Sequence, residues 1–159
     1  MKKLLIALML LSLVLVVPAL AEDAVSSASV SDFYGDSALT GDDLMNAINS
    51  FSGFYIVTTT NPDGSPLSAF FIYGCVKNED TYYLQLGLAE NQSRQNLIAN
   101  GEAMAVYAAL PEEGANPYAV SGARMWLKQV TDEELYNTLN TAGREGTLFF
   151  EIVTVRPLG

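Results

Sequence analysis

FYIVTTTNPDGSPLSAFFIYGCVKNEDTYYLQLGLAENQSRQNLIAN, from Phe54 to Asn100, carries the decisive pattern of this chain. Phe54 to Thr60 is β-branched and aromatic, which predicts a strand. Asn61-Pro62-Asp63-Gly64 breaks it, because Pro presets φ and Gly accepts a positive one. Pro66 to Val76 and Thr81 to Gly87 read as two further strands, joined by the polar Lys77-Asn78-Glu79-Asp80. Leu88 to Asn91 is a loop. Gln92 to Asn100 is a short helix, stopped by Asn100-Gly101.

The same reading extends outward. Before the stretch, Thr40 to Asp43 forms a capping signal, and Leu44, Ile48 and Phe51 recur near helical spacing, so a helix is expected over about Gly41 to Ser50. After it, Glu102 to Leu110 is a strand, residues 111–117 form a loop, and Tyr118 to Val130 alternates as a long strand. Thr131 and Glu134 suit a capping box for a helix to about Thr141. Thr147 to Val155 is a last strand. The sum is a mainly β chain, about six strands with two or three short helices, which suggests an antiparallel barrel with helical inserts. Strands follow one another directly and no Gly-x-Gly-x-x-Gly follows a strand, which argues against a dinucleotide-binding α/β fold.

Residues 1–21 have the form of a signal peptide. Lys2 and Lys3 precede the apolar run Leu4 to Val17, which is short for a membrane span, and Ala19-Leu20-Ala21 supplies a small-x-small cleavage pattern before Glu22. The chain is therefore expected to be exported and free of the membrane after cleavage. Residues 22–39, rich in Ala, Ser and Asp, are expected to form a flexible leader, and 40–159 the domain. The net charge is −10, and loss of Lys2 and Lys3 takes it to −12. Such a surface disfavours nucleic acid.

Histidine is absent and there is one cysteine. A Ser-His-Asp triad, a His-ligated haem and a zinc site built on His or Cys clusters are thereby excluded. Cys75 lies in an apolar run and lacks the His base that a thiol nucleophile commonly uses; a small buried residue is the plainer reading. No residue stands out as a catalytic acid or base.

Three groups could bind a ligand. At Gln92-Ser93-Arg94 a helix N-terminus, a hydroxyl and a guanidinium suit a phosphate, although a plain cap with a solvated Arg is the commoner meaning of that spacing. At Leu67 to Ile72, Ser68 and Ala69 lead into Phe70 and Phe71, which could meet the edge and face of a flat ring or simply fill the barrel. Trp126, the only tryptophan, could stack on a cofactor, sit in an interface or pack in the core. Gly122, ahead of it, signals a bulge or a close backbone approach.

The turn Asp63-Gly64-Ser65-Pro66, the strand Tyr82 to Leu86, and the helix Ser93-Arg94-Gln95-Asn96-Leu97 occur in this order. With the strand Met104 to Tyr107 and Ala119-Val120-Ser121-Gly122-Ala123 they resemble the FMN-binding split barrels of the pyridoxamine 5′-phosphate oxidase-like superfamily, and the small bacterial FMN-binding proteins in particular. The resemblance implies a homodimer with FMN held non-covalently at its interface, and a small-molecule redox partner or substrate. It implies a ring edge at Ser68, Ala69, Phe70 and Phe71, beside Leu86 and Gly87, and the phosphate at Gln92, Ser93 and Arg94. Trp126 would stack or line the interface. The alternatives are a cofactor-free binding module on the same barrel, or an enzyme using another anionic cofactor such as a deazaflavin.

Overall fold

A computed structural model describes residues 35–159 except 112, 115 and 117–119. The expected signal peptide and most of the leader lie outside the described residues. The described part of the domain begins ahead of Thr40: Gly35–Ser37 make a 3-10 turn, Ala38 bridges Gly122, and Leu39 N donates to Gly122 O at 3.0 Å.

Seven strands form one sheet: β1 Phe54–Thr60, β2 Pro66–Phe70, β3 Gly74–Asn78, β4 Thr81–Gly87, β5 Glu102–Ala108, β6 Gly122–Gln129 and β7 Thr147–Arg156. Three helices accompany them: α1 Gly41–Asn49, α2 Gln92–Asn100 and α3 Glu133–Leu139. The strand order is β2-β1-β5-β6-β7-β4-β3, with antiparallel pairing between all named neighbours.

This order explains the curl. The edge strands β2 and β3 are consecutive in sequence, joined by Phe71, Ile72 and Tyr73. A flat seven-stranded sheet would hold its edges roughly 29 Å apart at 4.8 Å per strand. The link from Phe70 to Gly74 spans at most about 14 Å. The sheet must therefore roll up, leaving a split between β2 and β3. The single strand expected over Pro66 to Val76 is two strands for this reason. At Phe71 the chain leaves β1 and crosses the split, and Tyr73, buried on the way, donates its hydroxyl to Val106 O at 2.8 Å. Seven strands thus replace about six.

Alternation puts Tyr55, Val57, Ala105, Tyr107, Ala123, Met125 and Leu127 inside, with Leu84, Leu86 and Phe150 from the other half. Leu44 and Ile48 of α1 and Leu97 of α2 complete this core. Tyr55 meets Tyr73 and Tyr107 edge-on at 5.0 and 5.2 Å between ring centroids. A smaller cluster of Tyr83, Leu139 and Phe149 seats α3. Its N-cap is Asp132, which accepts from Leu135 N, rather than Thr131 of the expected capping box. Val130 N still donates to Phe149 O at 2.9 Å past the end of β6, and the capping position falls one residue later than expected, at Asp132.

Gly122 is a close approach, as its place in a strand predicts. A Cβ there would collide with Tyr107 O and lie 2.9 Å from Leu158 Cδ1. The sheet's irregularity falls further on, between Trp126 and Leu127. Among the described residues no helix is long and apolar enough to cross a membrane.

The two sheet edges differ. The β3 edge is covered: Asn49 of α1 donates to Cys75 O at 2.7 Å and accepts from Cys75 N at 2.8 Å, acting as a stub of strand. Asp42 of α1 takes Lys77 Nζ at 3.0 Å and the Tyr82 hydroxyl at 2.8 Å. The β2 edge has no such cover among the described residues.

Candidate functional site

Helix α2 is fixed by amides. Asn91, in extended backbone, caps it by accepting from Arg94 N at 2.9 Å. Gly101, in the left-handed region at φ 67°, ends it. Asn96 is buried and donates to Thr59 Oγ1 at 3.1 Å and Asn61 Oδ1 at 2.8 Å, while accepting from Gln92 Nε2 at 2.8 Å. Asn100 donates to Thr60 O at 2.8 Å. The helix start is thereby anchored beside the β1–β2 turn. The N–H groups of Gln92 and Ser93 meet no acceptor among the described residues.

Arg94 turns back over this start. Its Nη1 donates to Gly146 O at 2.7 Å, and its Nε stands 3.0 Å from Glu90 Oε1. The Nε contact is an ion pair off the line of a hydrogen bond, so this buried N–H has no aligned acceptor. The Arg94 side chain is 12% exposed and that of Glu90 82%. Glu90 is therefore a solvated partner on a largely covered cation, and such a pair contributes about 0–1 kcal/mol. Because Gly87 faces Thr147 across β4 and β7, the strand end and Arg94 meet around residues 146–147.

The other half of the predicted site is the β2 edge. Phe71 N donates to Tyr55 O at 3.2 Å, which makes Phe71, Ala69 and Leu67 the residues bonded to β1. The backbone groups of Ser68 and Phe70 consequently face outward from the open edge. The Ser68 hydroxyl lies 2.8 Å from that of Thr58. Phe70 and Ile72 are 71% and 70% exposed, whereas Phe71 packs against the core.

The structure thus gathers Gly87, Gln92, Ser93 and Arg94 at one end of the barrel. It sets Ser68, Ala69 and Phe70 on the adjacent open edge. Leu86 is fully buried in the core, so only its backbone could take part. Trp126 stands in the outward row Ser68–Thr58–Met104–Trp126–Thr154, half-buried and three strands from Ser68, roughly 14 Å away. Within one chain Trp126 does not meet the ring-edge residues.

Sequence reasoning missed the neighbour row Phe70–Ile56–Val106–Arg124–Arg156. Arg124 Nε donates to Pro157 O at 2.6 Å, and its guanidinium lies 5.9 Å from the Trp126 ring centroid. The available signal was Arg124 two residues before Trp126 on one strand, but nothing local announces that Arg156 is its cross-strand partner.

Electrostatics remove the remaining nucleophile. Burial pushes the Cys75 thiol up to about 12, against a weaker lowering by the backbone N–H of Tyr83. Burial likewise raises the Tyr73 phenol. A cavity of about 50 Å³ among Gly41, Leu44, Met45, Cys75, Tyr82, Ile152 and Val155 is too small for a ring system, given the ~300 Å³ or more of ordinary ligand pockets. A ligand of flavin size does not fit that cavity.

No family model matches the chain, and no curated protein matches it. Solved structures do. An FMN-binding protein from Syntrophomonas wolfei subsp. wolfei superposes with a TM-score of 0.54 at 14% identity, covering 74% of this chain and 85% of that one. A variant of HupZ from Group A Streptococcus gives a TM-score of 0.51 at 15% identity, covering 74% of this chain and 98% of the other. At these identities the likeness establishes the fold alone, an antiparallel split barrel.

Proposed function

We propose that this split barrel binds FMN non-covalently between two copies of the chain and serves as an exported flavoprotein in oxidoreduction or electron transfer. The observation that carries the reading is the buried, unaligned Nε of Arg94 beside two free helix N–H groups. A phosphate displacing Glu90 would satisfy all three. The outward backbone groups of Ser68 and Phe70 suit the hydrogen-bonding edge of a flavin, and exposed Phe70 gives an apolar face. The FMN-binding neighbour adds that a barrel of this shape has accommodated that cofactor.

When bound, the flavin supplies the electron or hydride chemistry. The chain's part is positional. Gln92 and Ser93 would hold the phosphate by N–H groups reinforced by the helix dipole. Arg94, fixed to Gly146 O, would add a charge-assisted bond. Ser68, Ala69, Phe70 and Phe71 would align the ring, Leu86 and Gly87 would border it, and the apolar residues Phe70, Ile56 and Val106 of the outer face would exclude water between copies.

Titration with FMN and with riboflavin, followed by quenching of flavin fluorescence, tests the reading. FMN is expected to bind and riboflavin, lacking the phosphate, to bind weakly. If neither binds, the cofactor-free binding module on the same barrel takes its place; the ion pair already closing Arg94 with Glu90 favours that second reading.

A further inference from the structure

We infer that Arg124, Arg156 and Trp126 form a second site, for a small oxyanion that carries a planar ring. It goes beyond the flavin reading and does not depend on it.

The argument begins with charge placement. The chain has 18 acidic and 8 basic residues, so carboxylates are abundant. Most strand and helix cations have one nearby: Lys77 has Asp42, and Arg94 has Glu90. Lys128 stands in register with Glu102 on one side and Glu151 on the other. Arg124 departs from this rule. Its register partners are Val106 and Arg156, a like charge directly opposite. Such a pair destabilises a sheet unless something neutralises it. Neither arginine makes an ion pair among the described residues.

The geometry then selects the ligand. Opposed side chains on one sheet face have Cβ atoms about 5 Å apart, so both guanidiniums can converge on a single phosphate or carboxylate. Arg124 is held by its bond to Pro157 O, which leaves both of its Nη groups for a ligand. Arg156 has no side-chain bond among the described residues. Trp126, two residues along β6 on the same face, lies under the Arg124 guanidinium and offers a half-buried aromatic wall. Oxyanion and ring are therefore both specified. Arg94 binds at Gly146, before the start of β7, and Arg156 ends that ten-residue strand, so the phosphate end of the flavin reading is on the order of 30 Å away along it, while Phe70 stands three strands, roughly 14 Å, from Arg124.

Trp126 is the only tryptophan, so its emission reports the site directly. Flavin-free protein is titrated with inorganic phosphate and with phenyl phosphate, at ionic strength held constant with potassium chloride. A saturable change is expected with both, with phenyl phosphate binding at least fivefold tighter. Arg156→Gln, which sacrifices no bond within the described residues, should weaken both at least tenfold. It should melt no lower than the parent in phosphate-free buffer, because a like-charge neighbour has gone. Lys128→Gln, on the same sheet but flanked by carboxylates, should bind as the parent does. A change that follows ionic strength alone would overturn the proposal, as would Arg156→Gln binding like the parent or melting lower. If Arg156→Gln instead halves the mass in light scattering and leaves phosphate binding intact, the arginines hold a second copy's carboxylate and the proposal falls.

Discussion

Arg94 holds two partners of opposite permanence. Gly146 O is backbone and fixed, whereas Glu90 is a solvated side chain that a phosphate can replace. A charge-assisted hydrogen bond contributes about 1.5–3 kcal/mol, and about 1.4 kcal/mol is tenfold in affinity. Arg94→Ala is accordingly expected to weaken FMN binding roughly tenfold to a hundredfold and to leave riboflavin unchanged. Glu90→Gln should tighten FMN, because the competitor for Arg94 loses its charge. Equal loss of FMN and riboflavin in Arg94→Ala would make Arg94 a support of the fold alone. Cys75 gives a second prediction at this scale. Its folded pKa of about 12 lies above its ordinary value of 9.0 because of burial. Stability from keeping the thiol neutral is complete below pH 9 and is lost as pH rises toward 12, at about 1.4 kcal/mol per pH unit. Urea melts across that window should fall more steeply for the parent than for Cys75→Ala, and a thiol reagent at pH 8 should modify only unfolded protein. The buried character of Cys75 was legible from its apolar neighbours. The Arg94–Glu90 pairing was not, since a residue four positions back in a loop has no fixed direction until the helix start is built.

At the scale of elements, α2 depends on Asn96 more than on its own apolar face. The helix buries Leu97, and the amide of Asn96 joins it to β1 through Thr59 and Asn61. Asn96→Ala strands those groups and the Gln92 amide, so a loss of about 1–3 kcal/mol is expected in urea unfolding. A loss below 0.5 kcal/mol would mean that α2 is seated by Leu97 alone. Strands β1 and β4 and helix α2 were readable to the residue, because turn signals bracket them on both sides. The split of Pro66 to Val76 into β2 and β3 was not. Apart from Ser68, Leu67 to Val76 carries no polar break, and what ends β2 is the tertiary demand to cross the split, which leaves no mark of its own. The cap of α3 moved from Thr131 to Asp132 for a comparable reason: both residues are good caps, and the end of β6 decides between them.

The described domain is a barrel with one edge guarded by α1 and the other open among the described residues. The core residues follow from strand alternation, so the inside was legible in the sequence. The outside was less so, because rows such as Phe70–Ile56–Val106–Arg124–Arg156 join residues up to 100 positions apart that only strand order brings together. Export is the expectation that the first residues carry. Protein recovered outside the cytoplasm should begin at Glu22 on N-terminal sequencing, and an intact Met1 there would contradict the cleavage. The central claim is that two copies hold FMN on these outer surfaces. Its most direct test is light scattering of the mature chain after incubation with FMN and removal of free flavin, with visible absorbance recorded across the same eluting peak. The account predicts the mass of a dimer carrying a flavin spectrum at about one FMN per copy. A colourless peak, or a monomer at micromolar concentration, would contradict it.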